Sequence, residues 1–323
     1  MIEQAKFKDK ELGRKGTKKE TSIITRHSLK STIEDFESEE YPGLSEKGVE
    51  LAKQKVKEFL PIIEQSEEGS IIVFSGVSDL PRTRSTIKIY GEEIIDQLKE
   101  KGEVTIFSYP TEKTSGSLEK KEMKYLVFNE ESIVSIKKQK GNLSFRKVIS
   151  EINQILKSNS QTRLIALFPL RIKQFHDKSW DRWDENSGKH ELGTYVANRI
   201  NLFKEDKNEF MKKWIEDRGF VGNQQIGPDP EVVAKNYRLA IKRANDFIKH
   251  IFPENKGIVN FMVAHEYELD AFMASLINDK KITESNFDDI RQDGETISET
   301  EIVRVEEYDK SSTLIYRGKN FNI

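Results

Sequence analysis

The hydrophobic residues of this chain form two kinds of pattern that alternate along it. Short, apolar, β-prone runs predict four strands, at Ser22–Thr25, Ile71–Phe74, Val104–Phe107 and Ile258–Ala264. Between and after them, apolar residues recur every three to four positions, which is the spacing of one helical face. This alternation predicts an α/β fold. A mostly parallel central sheet would lie between two helical layers, as a three-layer α/β/α sandwich.

The middle of the chain departs from this alternation. Residues 114–228 are rich in lysine and tryptophan and have no regular strand–helix repeat, although Arg163–Leu170 could form a further strand. We therefore predict a helical or irregular insertion, or cap, over 114–228. The α/β core would then consist of residues 21–113 and 229–323. Residues 1–20, rich in lysine, glutamate and glycine, predict a flexible N-terminal arm.

Composition narrows the classes of function. The 323 residues include 53 lysines and arginines against 55 aspartates and glutamates, so the chain lacks the basic field used in nucleic-acid binding. Cysteine is absent, which excludes disulfides and thiol catalysis and is typical of a cytoplasmic protein. No apolar run approaches the length of a membrane span. We therefore expect a cytoplasmic protein that binds neither nucleic acid nor membrane.

Charged and polar side chains collect where the predicted strands end. Arg26 and His27 follow the first strand, the loop from Ser75 to Arg84 follows the second, and His265 follows the last. In an open parallel sheet the carboxyl ends of the strands line one crevice, and ligands bind there. The sequence therefore predicts a site with two histidines and at least two arginines.

These residue types together suit a dianionic phosphate. Arginine can bind two phosphate oxygens at once, and a neutral imidazole can attack phosphorus and carry the phosphoryl group covalently. Further cations stabilise the charge on the phosphoryl oxygens during transfer. A carboxylic acid must then protonate the leaving alcohol. The pattern thus favours phosphoryl transfer.

Four motifs, in this order, resemble those of the histidine phosphatase superfamily, the phosphoglycerate-mutase-like and acid-phosphatase-like enzymes. They are Arg26-His27-Ser28 for the family's Arg-His-Gly, the helix start Leu44-Ser45-Glu46-Lys47-Gly48-Val49-Glu50-Leu51-Ala52, the spaced Ser78, Arg82 and Thr86, and a second histidine, His265. The resemblance covers about 20–112 and 229–306. It implies the family's α/β fold and catalysis without a metal or other cofactor.

The resemblance also implies roles for individual residues. His27 would be the nucleophile that accepts the phosphoryl group. Arg26 and Arg82 would bind phosphate, and His265 would complete the pocket. Arg82 has the family's spacing from Ser78 and Thr86, whereas its rival Arg84 does not.

Two further residues near His27 are candidate phosphate ligands. Ser28 replaces the family's glycine, so the backbone there would approach phosphate differently. Lys30 occupies a position where the acid-phosphatase-like branch often has another arginine, although it could equally be an exposed loop lysine.

Two carboxylates compete for the role of proton donor. Glu112 follows the third predicted strand, roughly where the mutase-like branch has its acid. Glu266 directly follows His265, where the acid-phosphatase-like branch has an aspartate. We favour Glu112, because Glu266 could instead stabilise the positive amino-terminal end of its own helix.

The resemblance implies a phosphomonoester hydrolase that acts on a phosphorylated small molecule through a covalent phosphohistidine at His27. A phosphomutase would use the same residues but return the phosphoryl group to the substrate. A third alternative is a catalytically weakened member that binds phosphorylated ligands or a protein partner, which the serine at position 28 favours. The sequence predicts no particular oligomeric state.

The remaining tryptophans and histidines have plainer interpretations. Trp180, Trp183 and Trp214 are predicted to pack in the core of the cap. His176, His190 and His250 lack the spacing of metal ligands with each other, so no metal site is predicted there.

Overall fold

A nine-stranded sheet forms the centre of the computed structural model. The structure describes residues 19–31, 36–108, 123–140, 145–184, 189–277, 281–291, 295–308 and 311–323. The described residues form the nine strands of this sheet and two separate two-stranded sheets, β6-β7 and β8-β9. In chain order the strands are β1 (Lys19–Arg26), β2 (Ile71–Val77), β3 (Val104–Ile106), β4 (Tyr125–Phe128), β5 (Arg163–Arg171), β6 (Asp181–Asp184), β7 (Lys189–Leu192), β8 (Phe220–Val221), β9 (Gln224–Gln225), β10 (Gly257–Ala264), β11 (Ile302–Tyr308), β12 (Ser311–Tyr316) and β13 (Lys319–Asn322). Its helices are α1 (Glu46–Glu64), α2 (Pro81–Glu100), α3 (Glu130–Lys140), α4 (Phe145–Ser158), α5 (Thr194–Asn198), α6 (Ile200–Glu205), α7 (Lys207–Asp217), α8 (Pro230–Ile251), α9 (Glu266–Ile277) and α10 (Glu284–Ile290).

Six neighbouring strands of the sheet are parallel. The order across the sheet is β13-β12-β11-β1-β10-β2-β5-β4-β3. The strands from β1 to β3 in this order pair in parallel, and β11, β12 and β13 extend the sheet antiparallel. Every residue of β2 and β10 is buried, as expected for parallel strands covered on both faces. The predicted α/β class with a mostly parallel sheet is confirmed.

Successive side chains of the central strands face two different helical layers. In β1, Ile23 packs in a cluster with residues of α1 and α2, whereas Ile24 packs in a cluster with residues of α8 and α9. In β10, Phe261 and Met262 divide between the same two clusters. The period of two along the strand thus produces the three layers.

The insertion predicted for 114–228 needs a correction. Two strands within it, β4 and β5, belong to the central sheet, and β5 pairs with β2. The strand predicted at Arg163–Leu170 is therefore part of the core. β4 is only four residues long, too short for its pattern to stand out from a loop. After β5, apolar residues between Ile172 and Ile226 pack in the same hydrophobic cluster as residues of α8 and α9.

Two of the three tryptophans are buried, but in the cluster that includes residues of α8 and α9 rather than in the core of a separate cap. Trp180 and Trp214 are buried and meet edge to face, with ring centroids 4.7 Å apart. Trp214 also donates to the carbonyl oxygen of Pro228 at 2.7 Å. The side chain of Trp183 lies outside the described residues.

The first strand begins earlier than predicted. Lys19 and Glu20, assigned to the N-terminal arm, already pair with β10. The rest of the arm, 1–18, lies outside the described residues. No helix in the described part of the chain is long and apolar enough to cross a membrane.

Candidate active site

Three adjacent parallel strands deliver the predicted site residues to one edge of the sheet. β10 lies between β1 and β2, and its last residue, Ala264, is in register with Arg26 at the end of β1. The next residues are therefore His265 and His27, and their ring centroids lie 5.1 Å apart. The structure thus brings together the two histidines that are 238 positions apart in the chain, as the difference of their numbers shows.

The backbone and the ring of His27 are both held in place. Its N–H donates to the carbonyl oxygen of Ala264 at 3.0 Å, and its side chain is buried. Nδ1 lies 2.7 Å from the carbonyl oxygen of Ser28. Because a carbonyl can only accept, Nδ1 carries a hydrogen, and in the neutral ring the lone pair is then on Nε2. A neutral imidazole in this tautomer can act as a nucleophile through Nε2.

Ser28 supports the loop that carries His27. Its backbone N–H donates to Thr86 Oγ1 at 3.1 Å, and its hydroxyl donates to the carbonyl oxygen of Gly48 at 2.6 Å. Gly48 is in turn close to Leu29, where a Cβ would lie 2.2 Å from the Leu29 carbonyl oxygen. Both donors of Ser28 are used within the fold, so its predicted role as a phosphate ligand needs correction to one of support.

His265 has a hydrogen-bond partner at each ring nitrogen. Arg82 Nη2 lies 3.2 Å from Nδ1, and Ser78 Oγ lies 2.7 Å from Nε2. Arginine only donates, so Nδ1 accepts and Nε2–H donates to Ser78. The two residues of the Ser78/Arg82 motif thus hold the imidazole of His265 as a neutral ring.

Arg82 lies in the first turn of α2, next to the site, and is buried. Gly43 packs against the backbone of Arg82. Its φ of +83° lies in the left-handed region, and a Cβ at this position would come 2.7 Å from the backbone nitrogen of Arg82. Only glycine allows that approach without strain. Arg84, two residues later, instead lines a cavity with Tyr41 and Arg171.

Arg26 forms contacts different from those predicted. Its Nη2 lies 2.9 Å from Glu266 Oε2 and 2.7 Å from Glu299 Oε1, and its Nη1 donates to the carbonyl oxygen of Ile297 at 2.7 Å. These contacts engage both terminal nitrogens with the segment 297–299 and the start of α9. As a phosphate ligand, Arg26 would have to exchange these partners for phosphate oxygens.

Of the two candidate acids, only Glu266 lies among the described residues. Glu266 is buried, ion-paired with Arg26, and accepts a hydrogen bond from the hydroxyl of Thr296. It could donate a proton only after the ion pair with Arg26 is broken. Glu112 lies outside the described residues. Lys30 is exposed, and its backbone pairs with that of Leu44 in an isolated antiparallel β-bridge.

A third histidine lies at the site, and sequence analysis gave it no role. His176 follows the turn after β5, and its ring centroid is 4.5 Å from that of His265. Its Nδ1 lies 3.3 Å from Glu268 Oε1, with both side chains almost fully buried. The apolar run Arg163–Leu170 could have revealed it. Placed in the central sheet as a parallel neighbour of β2, this strand ends at the same edge as β2 and brings the residues after it to the site.

Burial raises the pKa of two groups near the site. It raises the pKa of Asp270 to about 7, although Arg291, 3.3 Å away, lowers it. Asp270 Oδ1 also accepts from the N–H of Ile297 at 3.3 Å, so it holds the segment that contacts Arg26. Burial likewise raises the pKa of Tyr237, whose hydroxyl donates to the carbonyl oxygen of Phe175 at 2.9 Å.

The described residues contain no group of three or more histidine, aspartate or glutamate side chains arranged to hold a metal ion.

Comparisons with known proteins find matches among solved structures. No family model and no curated protein sequence matches the chain. Among solved structures, the YhfR protein of Bacillus stearothermophilus is similar at 12% identity, covering 93% of this chain and 97% of that one, with a TM-score of 0.43. Phosphoglycerate mutase from Bacillus anthracis is similar at 11% identity, covering 94% of both chains, with a TM-score of 0.41. A mycobacterial glucosyl-3-phosphoglycerate phosphatase has 11% identity, 88% and 89% coverage and a TM-score of 0.40. At these identities and TM-scores, the similar structures carry no argument about function, which therefore rests on the geometry of the site.

Proposed function

We propose that this chain is a phosphomonoester hydrolase that forms a covalent phosphohistidine on His27. The observation that carries the proposal is the orientation of two buried imidazoles, one of which accepts from an arginine. His27 has its Nδ1–H engaged, which leaves Nε2 as the nucleophilic nitrogen. His265 lies beside it, with ring centroids 5.1 Å apart, and Arg82 Nη2 lies 3.2 Å from Nδ1 of His265. The cysteine-free sequence is in keeping with a cytoplasmic enzyme.

The first step of the proposed reaction is in-line attack on phosphorus. The lone pair of His27 Nε2 forms the N–P bond as the P–O bond to the alcohol breaks. Arg82 supports this step because its guanidinium can bind two phosphoryl oxygens. His265 supports it through Arg82, because its Nδ1 accepts from Arg82 Nη2 and holds the guanidinium in place. The charge of Arg82 offsets the negative charge on the phosphoryl oxygens.

The leaving alcohol takes a proton from an acid, for which we propose Glu112. Glu266 is the alternative, and its ion pair with Arg26 makes it the less suitable donor. In the second step the same acid, now a carboxylate, takes a proton from water. The water oxygen then attacks phosphorus, the N–P bond breaks, and inorganic phosphate leaves with His27 restored.

Hydrolysis of an aryl phosphate by the purified chain tests this proposal. We expect turnover by the wild-type protein and its loss in His27→Ala. The matched control is His250→Ala, because His250 is exposed on α8, outside the site described here. Wild-type turnover that survives His27→Ala overturns the proposal. Addition of a sugar-phosphate acceptor separates a mutase, which would phosphorylate it, from a hydrolase.

Arg26 favours a second candidate function, a binding protein with weakened catalysis. Its donors engage Glu266, Glu299 and the Ile297 carbonyl. A site that relies on Arg82 alone among its arginines would bind phosphate but stabilise the transferring group less. The expected results for this candidate are saturable binding of inorganic phosphate by calorimetry and no phosphatase turnover.

A further inference from the structure

We propose that Glu268 and His176 form a buried positioning pair that keeps His265 neutral and correctly oriented, an inference that rests on the proposed phosphatase function. Glu268 is in the first turn of α9, three residues after His265. His176 reaches the same place from the turn after β5. Sequence analysis assigned neither residue a role.

His176 packs against the ring of His265, whose two nitrogens have other partners. Arg82 and Ser78 occupy the two nitrogens of His265. His176 packs on the ring with centroids 4.5 Å apart and an interplanar angle of 52°. His27 packs on it as well, with centroids 5.1 Å apart and an angle of 60°. The ring of His265 is therefore held in its own plane by hydrogen bonds and flanked by two other rings.

Glu268 fixes His176 in turn. Glu268 Oε1 lies 3.3 Å from His176 Nδ1 and accepts from the backbone N–H of Asp177 at 3.1 Å. The side chains of His176 and Glu268 are 5% and 2% exposed, so the pair is shielded from water. A buried carboxylate is costly unless a cation or several donors compensate it. It therefore favours the protonated form of the imidazole that it contacts.

A protonated His176 has a direct consequence for His265. A positive charge beside the ring disfavours a second positive charge on it. Arg82 acts in the same direction. Of the acids on α9, Glu268 is paired with His176, Glu266 with Arg26 and Asp270 with Arg291. Within the described residues, His27 and Tyr237 are also close, and burial raises the pKa of Tyr237, so this phenol stays neutral.

The function of this arrangement is to preserve the contact between His265 and Arg82. A neutral His265 accepts from Arg82 through Nδ1 and donates its Nε2–H to Ser78, so the ring holds the guanidinium in a fixed direction. A doubly protonated ring would lose the contact with Arg82, because both groups would then be donors. The pair acts through His265 and does not itself touch the reacting atoms.

Nuclear magnetic resonance of the full chain with ¹⁵N-labelled histidine tests the proposal directly. The chain has five histidines, so each ring can be assigned by substitution. We expect His265 to remain a neutral Nε2–H tautomer from pH 8 to pH 6. In Glu268→Gln, His176 loses its carboxylate and becomes neutral, so the titration midpoint of His265 should rise by about one pH unit or more. Glu209→Gln, an exposed residue on α7, is the matched control.

A second variant and an activity measurement separate positioning from simple packing. His176→Gln leaves the carboxylate of Glu268 without its imidazole and should also raise the midpoint of His265. In Glu268→Gln, kcat for an aryl phosphate should fall about 10- to 100-fold, typical for the loss of a residue that orients a functional histidine, with little change in KM. An unchanged His265 titration in both variants overturns the proposal.

The failure of this inference differs from the failure of the proposed function. If the wild-type chain does not hydrolyse phosphate esters, the proposed function fails, whereas the resonance experiment still reports on His265. If hydrolysis depends on His27 but Glu268→Gln keeps both its kcat and its His265 titration, only the positioning proposal falls.

Discussion

The carboxyl edge of the sheet carries two charged clusters that start from neighbouring residues and end in different chemistry. One cluster joins His27, His265 and Arg82, with the two imidazole rings beside each other and Arg82 against Nδ1 of His265. The other joins Arg26 and Glu266, the direct neighbours of the two histidines, to the segment 297–299. In the second cluster, opposite charges are paired with each other. Residues adjacent in a motif can thus divide between reaction and support.

The strongest way to break this comparison is to remove Arg82. Arg82→Ala should lower kcat/KM for an aryl phosphate on the order of 10³-fold, because it removes a ligand of the phosphoryl group and the partner of His265 Nδ1. Arg84→Ala is the matched control, since Arg84 lines a different cavity. Steady-state kinetics of the two variants measure the difference. Equal losses would show that the first cluster has been assigned to the wrong arginine.

Removal of Arg26 tests whether the second cluster is structural. Arg26→Ala leaves Glu266 buried without its ion pair, so the free energy of unfolding should fall by about 3 kcal/mol. Denaturant titration of Arg26→Ala and of the Arg26→Ala/Glu266→Gln double variant measures this. The double variant should recover much of the loss because it removes the buried carboxylate, and the Glu299 carboxylate that stays without Arg26 is partly exposed. A normal stability together with abolished phosphate binding would instead make Arg26 a phosphate ligand.

The proton donor can be located by the choice of leaving group. For the true donor, substitution by Gln should slow hydrolysis of an alkyl phosphate by about 10²-fold and that of a nitrophenyl phosphate much less, because nitrophenolate leaves without a proton. We expect this split for Glu112→Gln. If Glu266→Gln shows the split and Glu112→Gln does not, the second cluster takes part in the reaction.

The smallest effect concerns pH and the support of the second cluster. The raised pKa of Asp270 means that the folded protein binds this proton more tightly than the unfolded chain. Its contribution to stability is therefore most favourable below the ordinary aspartate pKa and decreases as the pH rises from about 4 to 7. The slope can reach about 1.4 kcal/mol per pH unit for one proton.

Denaturation of wild type and Asp270→Asn at several pH values measures this slope. The variant should lose less stability than wild type between pH 5 and pH 7. Asp288→Asn, an exposed residue of α10, is the control and should follow wild type. Parallel curves for wild type and Asp270→Asn would contradict the raised pKa.

Much of the first cluster was predictable because its information is local. Each of its residues follows a strand with a clear apolar pattern, and parallel strands bring their ends together. His176 was not predictable in the same way, because the strand before it was assigned to an insertion. The partners of Arg26 could not be predicted either. Glu299 lies 273 positions away, as the difference of the numbers shows, and only the packing of β11 beside β1 brings its segment near.

The central claim is a phosphohistidine on His27, and trapping it is the most direct test. The full-length wild-type chain is mixed with a labelled aryl phosphate, quenched in alkali within the first turnover and digested for mass spectrometry. The account predicts one phosphoryl group that is stable in alkali and labile in acid, on the peptide that contains His27, and none in His27→Ala. A phosphoryl group on His265 or His176, or single-turnover hydrolysis without any phosphoenzyme, would contradict it.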